Sequence, residues 1–149
     1  MPLTQPVPQG VAGHEESLHC QRYDLTEARR LMAVAGYPYD PVAKTGGWPE
    51  PVPYLTYRKG MTEWTSQLLK EQLAQIGIRL DLRMVSYSTY LALSKRRHGI
   101  AMSSQGWAID FSDPSNFTET LFHSRAIQDD DTNNSSFYSN PALDRLLDD

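Results

Sequence analysis

The clearest hydrophobic pattern in the chain is a strict alternation of apolar and charged residues over positions 78–84, IRLDLRM. Successive side chains of a strand point to opposite faces of its sheet, so this pattern predicts a strand with one buried and one solvated face. Just before it, apolar residues recur at helical spacing and stop at Gly77, which predicts a helix over 63–76 with Thr62 as its N-cap. The apolar positions of that helix are Trp64, Leu68, Leu69, Leu73 and Ile76.

Further helices and strands follow from the same kind of pattern. Helices are predicted over 25–35, from Ser86 or Ser88 to 97, from Ser115 or Asn116 to 122, and from 141 onward, and strands over 54–57 and 100–104. Asp24 and Glu27 form a capping box, and Asn140 followed by Pro141 is typical of a helix start. Residues 37–53, rich in proline and glycine, are predicted as a long turn region. Helices alternating with strands indicate an α/β fold with a mixed, largely parallel sheet flanked by helices.

The first 22 residues carry prolines and glycines without periodicity, so we expect an extended connector over 1–22 and a folded part over 23–149. His14, His19 and Cys20 lie close together in this connector. Their spacing matches no recognised zinc pattern, and an ordinary loop is favoured over a metal site. With a single cysteine, the chain has no internal disulfide.

Composition narrows the classes of function. A net charge of −4 disfavours a nucleic-acid surface, and the basic cluster 95–98 (KRRH) is explained by its place at a predicted helix end. The N-terminus lacks the basic and apolar regions of a signal peptide, and no apolar run reaches the ~18 residues of a membrane span. The last helix stops at Asp148-Asp149 in mid-pattern, which indicates truncation.

The most informative stretch for function is 106–117, GWAIDFSDPSNF, which directly follows the strand predicted over 100–104. Ligands of open α/β sheets bind beyond the carboxyl ends of strands, so this loop is in the right place. Trp107 offers an aromatic wall and Asp110 a carboxylate, a pair suited to a small, amine-bearing, partly apolar ligand. The alternative, that Trp107 is a core anchor and Asp110 a turn former, carries equal weight. Asp113-Pro114 is interpreted as a structural turn that opens a helix.

Other residues with reactive side chains are explained more simply. The acidic run Asp129–Asp131 lacks the interleaved spacing of a calcium loop and is interpreted as solvated. No Gly-x-Ser-x-Gly elbow and no phosphate-binding glycine loop occurs. Tyr87 and Tyr90 are expected to pack rather than to stack on a ligand. We therefore expect no enzymatic activity, no cofactor and no metal.

Four segments, in order, resemble the peptide and nickel class of extracellular solute-binding proteins, family 5, which serve ATP-driven importers. They are YD with LMAVAGYP over 23–38, QLLKEQLAQIGI over 67–78, GW with DPSNF over 106–117, and NN with YSNP and LDRLL over 133–147.

The resemblance implies one lobe of a periplasmic-binding-protein type II-like fold. Residues 23–149 would be part of the C-terminal lobe, without the N-terminal lobe with which it closes on ligand. Asp110 would pair with the α-amine of a peptide and Trp107 would form a pocket wall. The implied partners are a peptide or other small solute, the missing lobe and the membrane permease of an ABC transporter, in a periplasmic or extracellular location. Two alternatives are a ligand-sensing module of a regulatory protein and a small hydrolase that uses His14, His98 or His123.

Overall fold

The computed structural model describes residues 5–18 and 22–148. His19 and Cys20, named above as conceivable metal ligands, lie outside the described residues. The chain divides into two compact units. We call residues 22–90 with 100–104 the sheet unit, and the described residues 5–18, 91–99 and 105–148 the helical unit.

The elements follow the predicted alternation of helices and strands. In chain order they are α1 (Leu25–Val34), β1 (Tyr39–Asp40), β2 (Thr45–Gly46), β3 (Val52–Tyr57), α2 (Met61–Ala74), β4 (Leu80–Val85), α3 (Tyr87–Ser94), β5 (Met102–Ser103), α4 (Ser115–Phe122), a 3-10 turn (Ser124–Ala126) and α5 (Pro141–Asp148). Residues 5–18 contain turns and bends and no helix or strand. Within the described residues, no helix is both long and apolar enough to cross a bilayer.

The sheet unit is built on three parallel strands in the order β4-β3-β5. The central strand β3 is paired on both edges, with Val52 opposite Leu80 on one side and Tyr54 opposite Met102 on the other. Leu55 on this strand is only 2% exposed. The predicted α/β class with a largely parallel sheet is therefore confirmed.

The alternation that predicted β4 is visible in its burial. Leu80 is buried, Asp81 and Arg83 are exposed, and Leu82 lies between these extremes. The strand begins at Leu80 rather than at Ile78, because the backbone N–H of Ile78 still donates to the carbonyl of Leu73 at the end of α2. Tertiary pairing thus shifts the start of the strand without changing its buried face.

Local capping signals set most helix starts. The Asp24 carboxylate accepts the N–H of Glu27, the Ser86 hydroxyl accepts the N–H of Thr89, and the Asn140 amide oxygen accepts the N–H of Ala142. These bonds confirm the predicted starts of α1 and α5 and choose Ser86 over Ser88 for α3.

The prediction for the start of α2 was wrong. Gly60 precedes the helix, with a φ of 46° and no side-chain cap, and Thr62 lies inside the first turn. Two of the predicted apolar positions also face outward, since Trp64 is 62% and Leu68 38% exposed. The buried residue of α2 is Ser66.

The segment predicted as a long turn region contains a short antiparallel hairpin, β1–β2. It lies against the end of α2, where the N–H of Trp48 donates to the carbonyl of Gly77. A Cβ on Gly47 would come within 2.4 Å of that carbonyl oxygen, and a Cβ on Gly77 within 2.7 Å of the Gly47 Cα. Both glycines also have positive φ, a backbone conformation that residues with a Cβ rarely adopt. The close backbone contact and the positive φ therefore each require glycine here.

A buried pair of hydroxyls joins α2 to the central strand. Thr56 and Ser66 are each 2% exposed, and their side-chain oxygens lie 2.8 Å apart. The Ser66 hydroxyl also donates to the Thr62 carbonyl at 2.7 Å. Because Ser66 has only one hydroxyl proton, Thr56 is the donor and Ser66 the acceptor within the pair.

This direction predicts an asymmetry between two conservative variants. Ser66→Ala leaves the buried Thr56 hydroxyl without an acceptor and should lower the free energy of unfolding by about 1–3 kcal/mol. Thr56→Val removes the donor and leaves Ser66 bonded to Thr62, so it should cost less, about 0.5–1.5 kcal/mol. Urea unfolding of the two variants and of the double variant measures this, and a larger loss for Thr56→Val contradicts the assigned direction.

Candidate functional site

The loop between β5 and α4 is held by one buried side chain, Asn116, which is 2% exposed. Its amide oxygen accepts the indole N–H of Trp107 at 3.0 Å and the backbone N–H of Asp110 at 3.3 Å. Asn116 lies in the first turn of α4, so the helix determines the position of its amide oxygen. That oxygen in turn holds the loop through its two hydrogen bonds. The two residues predicted to bind ligand are thereby attached to the same atom.

Trp107 and Asp110 differ in their surroundings. The Trp107 side chain is half-buried and its only polar atom is already bonded to Asn116. Asp110 is exposed, and its carboxylate has neither hydrogen bond nor ion pair within the described part of the chain. The loop therefore presents an aromatic wall together with an anion that is available to a cation from outside.

The start of α4 explains the second acid of the loop. The Asp113 carboxylate accepts the N–H of Ser115 at 2.9 Å. Hydrogen bonds from the hydroxyl and the N–H of Ser115 lower the pKa of Asp113. Asp113 thus stabilises the first turn of α4, and the structural interpretation of Asp113-Pro114 is confirmed.

Beside Trp107 the helical unit contains a cavity of about 210 Å³. Leu121 and Phe122 from the last turn of α4 form its apolar side together with Trp107. The remaining lining residues are small or polar, namely Gln105, Gly106, Asn133, Ser135 and Ser136. No lining residue carries a charge.

The acidic run Asp129–Asp131 is exposed to solvent, as predicted, and each of its carboxylates also forms an ion pair. Lys95 pairs with Asp131 at 3.1 Å, Arg96 with Asp130 at 2.5 Å and Arg97 with Asp129 at 2.8 Å. The three basic residues therefore pair with the three acidic residues in reverse order along the chain.

The same ion pairs give the basic residues partners that the sequence did not predict. α3 ends at Ser94 and the cluster begins directly after it, with the N–H of Lys95 donating to the carbonyl of Leu91, so the predicted place at a helix end is confirmed. Backbone hydrogen bonds reinforce the pairing, since the N–H of Arg97 donates to the carbonyl of Asp129 and that of Thr132 to the carbonyl of Lys95. Exposed ion pairs contribute little singly, but here three act alongside two backbone bonds. The cluster binds a segment of its own chain.

His123, one of the histidines considered for hydrolysis, is buried and bonded to neighbouring residues. It is 6% exposed, and its Nδ1 accepts the backbone N–H of Arg125, which assigns the ring proton to Nε2. Nε2 faces Asp148 at 3.3 Å. The neighbouring Ser124 hydroxyl donates to Asp144 at 2.5 Å instead of to the imidazole. His123 therefore activates no serine nucleophile in this arrangement.

His14, Tyr87 and Tyr90 have simple partners. His14 Nδ1 lies 2.8 Å from the Val7 carbonyl oxygen. The described residues contain no group of three or more potential metal ligands. Tyr87 and Tyr90 both pack on the ring of Tyr57, with centroids 4.9 and 4.7 Å away, as predicted.

Comparison with known families now identifies the class of protein. A family model described as bacterial extracellular solute-binding proteins, family 5, middle part, matches residues 1–129. The chain belongs to this family. The resemblance drawn from the four sequence segments is confirmed, and the comparisons give no support to a regulatory module.

Two curated proteins are similar to the chain. The Di/tripeptide-binding protein 1 of Pseudomonas aeruginosa is 29% identical over 136 residues, which are 91% of this chain and 24% of that protein. The Heme-binding protein A of Haemophilus influenzae is 25% identical over 142 residues, 95% of this chain and 24% of that protein. The chain thus spans about a quarter of the length of these relatives.

A solved structure confirms the fold. The periplasmic binding protein DppA of Helicobacter pylori, an ABC-transporter-associated protein solved in complex with the peptide STSA, superposes with a TM-score of 0.82 and 27% identity. The match covers 97% of this chain and 26% of DppA. The described architecture is therefore that of a periplasmic binding protein.

Asn116 was missed by sequence reasoning as a site residue. Its only signal was its position within DPSNF, where it was considered as a helix start. A polar residue at a helix start is usually explained by capping. The bonds from Asn116 to residues six and nine positions earlier in the loop emerge only from the structure.

We expect Asn116→Ala to release the loop. Trp107 and the backbone of Asp110 would lose their common acceptor, and the free energy of unfolding should fall by about 1–3 kcal/mol. In NMR spectra the indole N–H signal of Trp107 should shift and exchange faster with water. Asn133→Ala is the matched control, because the Asn133 side chain makes no hydrogen bond within the described residues. An unmoved Trp107 signal in Asn116→Ala would show that Asn116 does not hold the loop.

Asp144 makes the stability of the helical unit dependent on pH. Hydrogen bonds from the hydroxyl and N–H of Ser124 lower the pKa of Asp144 from its ordinary value of 3.8. A lowered pKa in the folded state contributes stability that is present above the unfolded pKa and is lost as the pH falls through the folded one.

We therefore expect Asp144→Asn and Ser124→Ala to be less stable than the unmodified chain at about pH 6, and the difference to shrink towards about pH 2. Urea unfolding across this range measures it. A difference that stays constant with pH contradicts a role for the Asp144 charge.

Proposed function

We propose that the chain is part of the C-terminal lobe of a periplasmic solute-binding protein that captures peptides for an ATP-driven importer. Asp110 binds the free α-amine of the peptide, and Trp107 forms a wall of the site. The observation that carries this proposal is the exposed carboxylate of Asp110, which has no partner within the described residues and whose backbone N–H shares the Asn116 amide oxygen with the indole of Trp107.

The chemistry of the loop favours a cationic group. A carboxylate gains a charge-assisted hydrogen bond from an ammonium, and this bond is about twice as strong as a neutral one. Attachment to Asn116 prepares the position of Asp110 before ligand arrives, which lowers the ordering cost of binding. A solute without an amine would leave the carboxylate unpaired once it is enclosed, and so would be rejected.

The relatives support a peptide as the solute. One is named a di/tripeptide-binding protein, and the structurally similar DppA was solved with a peptide. Another relative is named a heme-binding protein, so membership of the family leaves the solute open. The anionic loop of this chain is what favours an amine-bearing solute.

The remaining parts of the proposal follow from the family. Its members are extracellular or periplasmic proteins that bind solutes, and we place this chain in the same compartment. A second lobe would supply the opposite wall of the cleft, and the membrane permease of the importer would receive the solute. Binding involves no chemistry, and His123 and Ser124, bonded to other groups, offer no catalytic pair.

NMR titration of the chain with Ala-Ala and with N-acetyl-Ala-Ala tests the amine anchor. Ala-Ala should shift the amide signals of Asp110 and the indole signal of Trp107. Asp110→Asn should weaken this binding about ten- to a hundredfold, since it removes the charge of a charge-assisted bond.

The controls distinguish a specific bond between Asp110 and the peptide amine from a general effect of negative charge. N-acetyl-Ala-Ala lacks the ammonium and should bind the unmodified chain as weakly as Ala-Ala binds Asp110→Asn. Asp81→Asn is the matched variant, because Asp81 is an exposed aspartate on β4, outside the loop. Equal affinity for the free and acetylated peptides would overturn the assignment of Asp110.

A further inference from the structure

Trp107 lines a cavity that Asp110 does not line, and the indole of Trp107 and the backbone of Asp110 share the Asn116 oxygen. We propose that this cavity receives an uncharged, largely apolar side chain of the bound solute and so selects among solutes. The inference deepens the proposed function and rests on it, since the solute is the one that Asp110 holds. The cavity would then decide which side chain the bound solute carries.

The size of the cavity suits one side chain. Its volume is about 210 Å³, whereas an apolar cavity of about 150 Å³ is enough to hold benzene. A leucine, methionine or phenylalanine side chain therefore fits, with Trp107, Leu121 and Phe122 as its apolar contacts. Transfer of such a side chain from water into the cavity removes apolar surface from water and so favours binding.

The lining excludes charged side chains. None of the eight lining residues is ionisable, so a lysine or glutamate side chain would enter without a partner for its charge. The polar lining atoms are neutral, and some are already engaged: Gln105 donates to the Ser94 carbonyl and Ser136 donates to the amide oxygen of Asn134. Asn133 and Ser135 keep neutral polar groups that tolerate water or an amide at the rim.

One wall of the cavity is rigid because of Asn134, which is 0% exposed. Its amide nitrogen donates to the Tyr138 carbonyl at 2.8 Å and to the His123 carbonyl at 3.3 Å. Its oxygen accepts the hydroxyl of Ser136 and the N–H of Tyr138. A wall fixed in this way does not reshape around a poor fit, so size and charge are discriminated more sharply.

The test uses probes that lack the amine and therefore do not depend on Asp110. N-acetyl-leucinamide carries an uncharged side chain, N-acetyl-glycinamide carries none, and N-acetyl-lysinamide carries a charge. Each is titrated into the full chain while NMR follows the amide signals of Gly106, Leu121 and Phe122 and the indole signal of Trp107. N-acetyl-leucinamide should shift these signals with an affinity at least about tenfold higher than that of the other two probes.

A matched pair of variants ties the binding to the cavity. Ser135→Phe fills the cavity from its rim and should weaken N-acetyl-leucinamide about tenfold or more. Ser139→Phe makes the same change on the same segment outside the cavity lining and should leave the affinity within about twofold. If Ser135→Phe does not fold, as judged by its amide spectrum, Ser135→Leu takes its place.

The outcomes separate the two proposals. The cavity inference is overturned if N-acetyl-lysinamide binds as tightly as N-acetyl-leucinamide, or if N-acetyl-leucinamide leaves the cavity signals unchanged. Either result counts even when Ala-Ala binding still depends on Asp110. Unchanged affinity in the filled variant overturns it too. If N-acetyl-leucinamide binds in the cavity while free and acetylated peptides bind equally, the cavity is supported as a binding site and the amine anchor fails.

Discussion

The loop between β5 and α4 depends on one buried amide oxygen, that of Asn116. Asn116 accepts two hydrogen bonds from the loop, one from the indole of Trp107 and one from the backbone of Asp110. Because Asn116 belongs to α4, the helix determines where the aromatic wall and the carboxylate lie. A loop with no helix or strand of its own thereby gains a defined shape from a single side chain, and the proposed binding would need less ordering of the protein.

Similar polar contacts hold much of the remaining structure. Fully buried large apolar side chains are few among the described residues, while Thr56, Ser66, Asn116, Thr132 and Asn134 are all at most 2% exposed. Buried polar groups are tolerated only when they are paired, and each of these has a partner. They also specify geometry more narrowly than apolar contacts do, because a hydrogen bond requires a particular direction.

Recognition in the proposed site has two separable parts. A charge on Asp110 would identify the amine that all unblocked peptides share, and the uncharged cavity beside Trp107 would read a side chain that differs among them. Such a division lets one protein accept a class of peptides and still discriminate within it. Trp107 lines the cavity, and its indole shares the Asn116 oxygen with the backbone of Asp110, so Asn116 matters for both parts.

The amino-acid sequence by itself determined the local elements of this protein. The alternation over 78–84 predicted β4 and its buried face, and Asp24, Ser86 and Asn140 marked helix starts, because these signals act between residues close in the chain. The order of segments also indicated family 5. Thr62 was wrongly predicted as the N-cap of α2. The N-cap position depends on where the backbone turns into the helix, and that residue is Gly60.

Only the tertiary structure decided the contacts that join distant segments. It paired Lys95–Arg97 with acids 32 to 36 residues away, placed the oxygen of Asn116 between Trp107 and Asp110, and enclosed a cavity between α4 and residues 133–136. Charge and polarity show that a residue needs a partner, but many partners in the sequence satisfy the same chemistry. The fold chooses one because packing brings only that one within hydrogen-bonding distance.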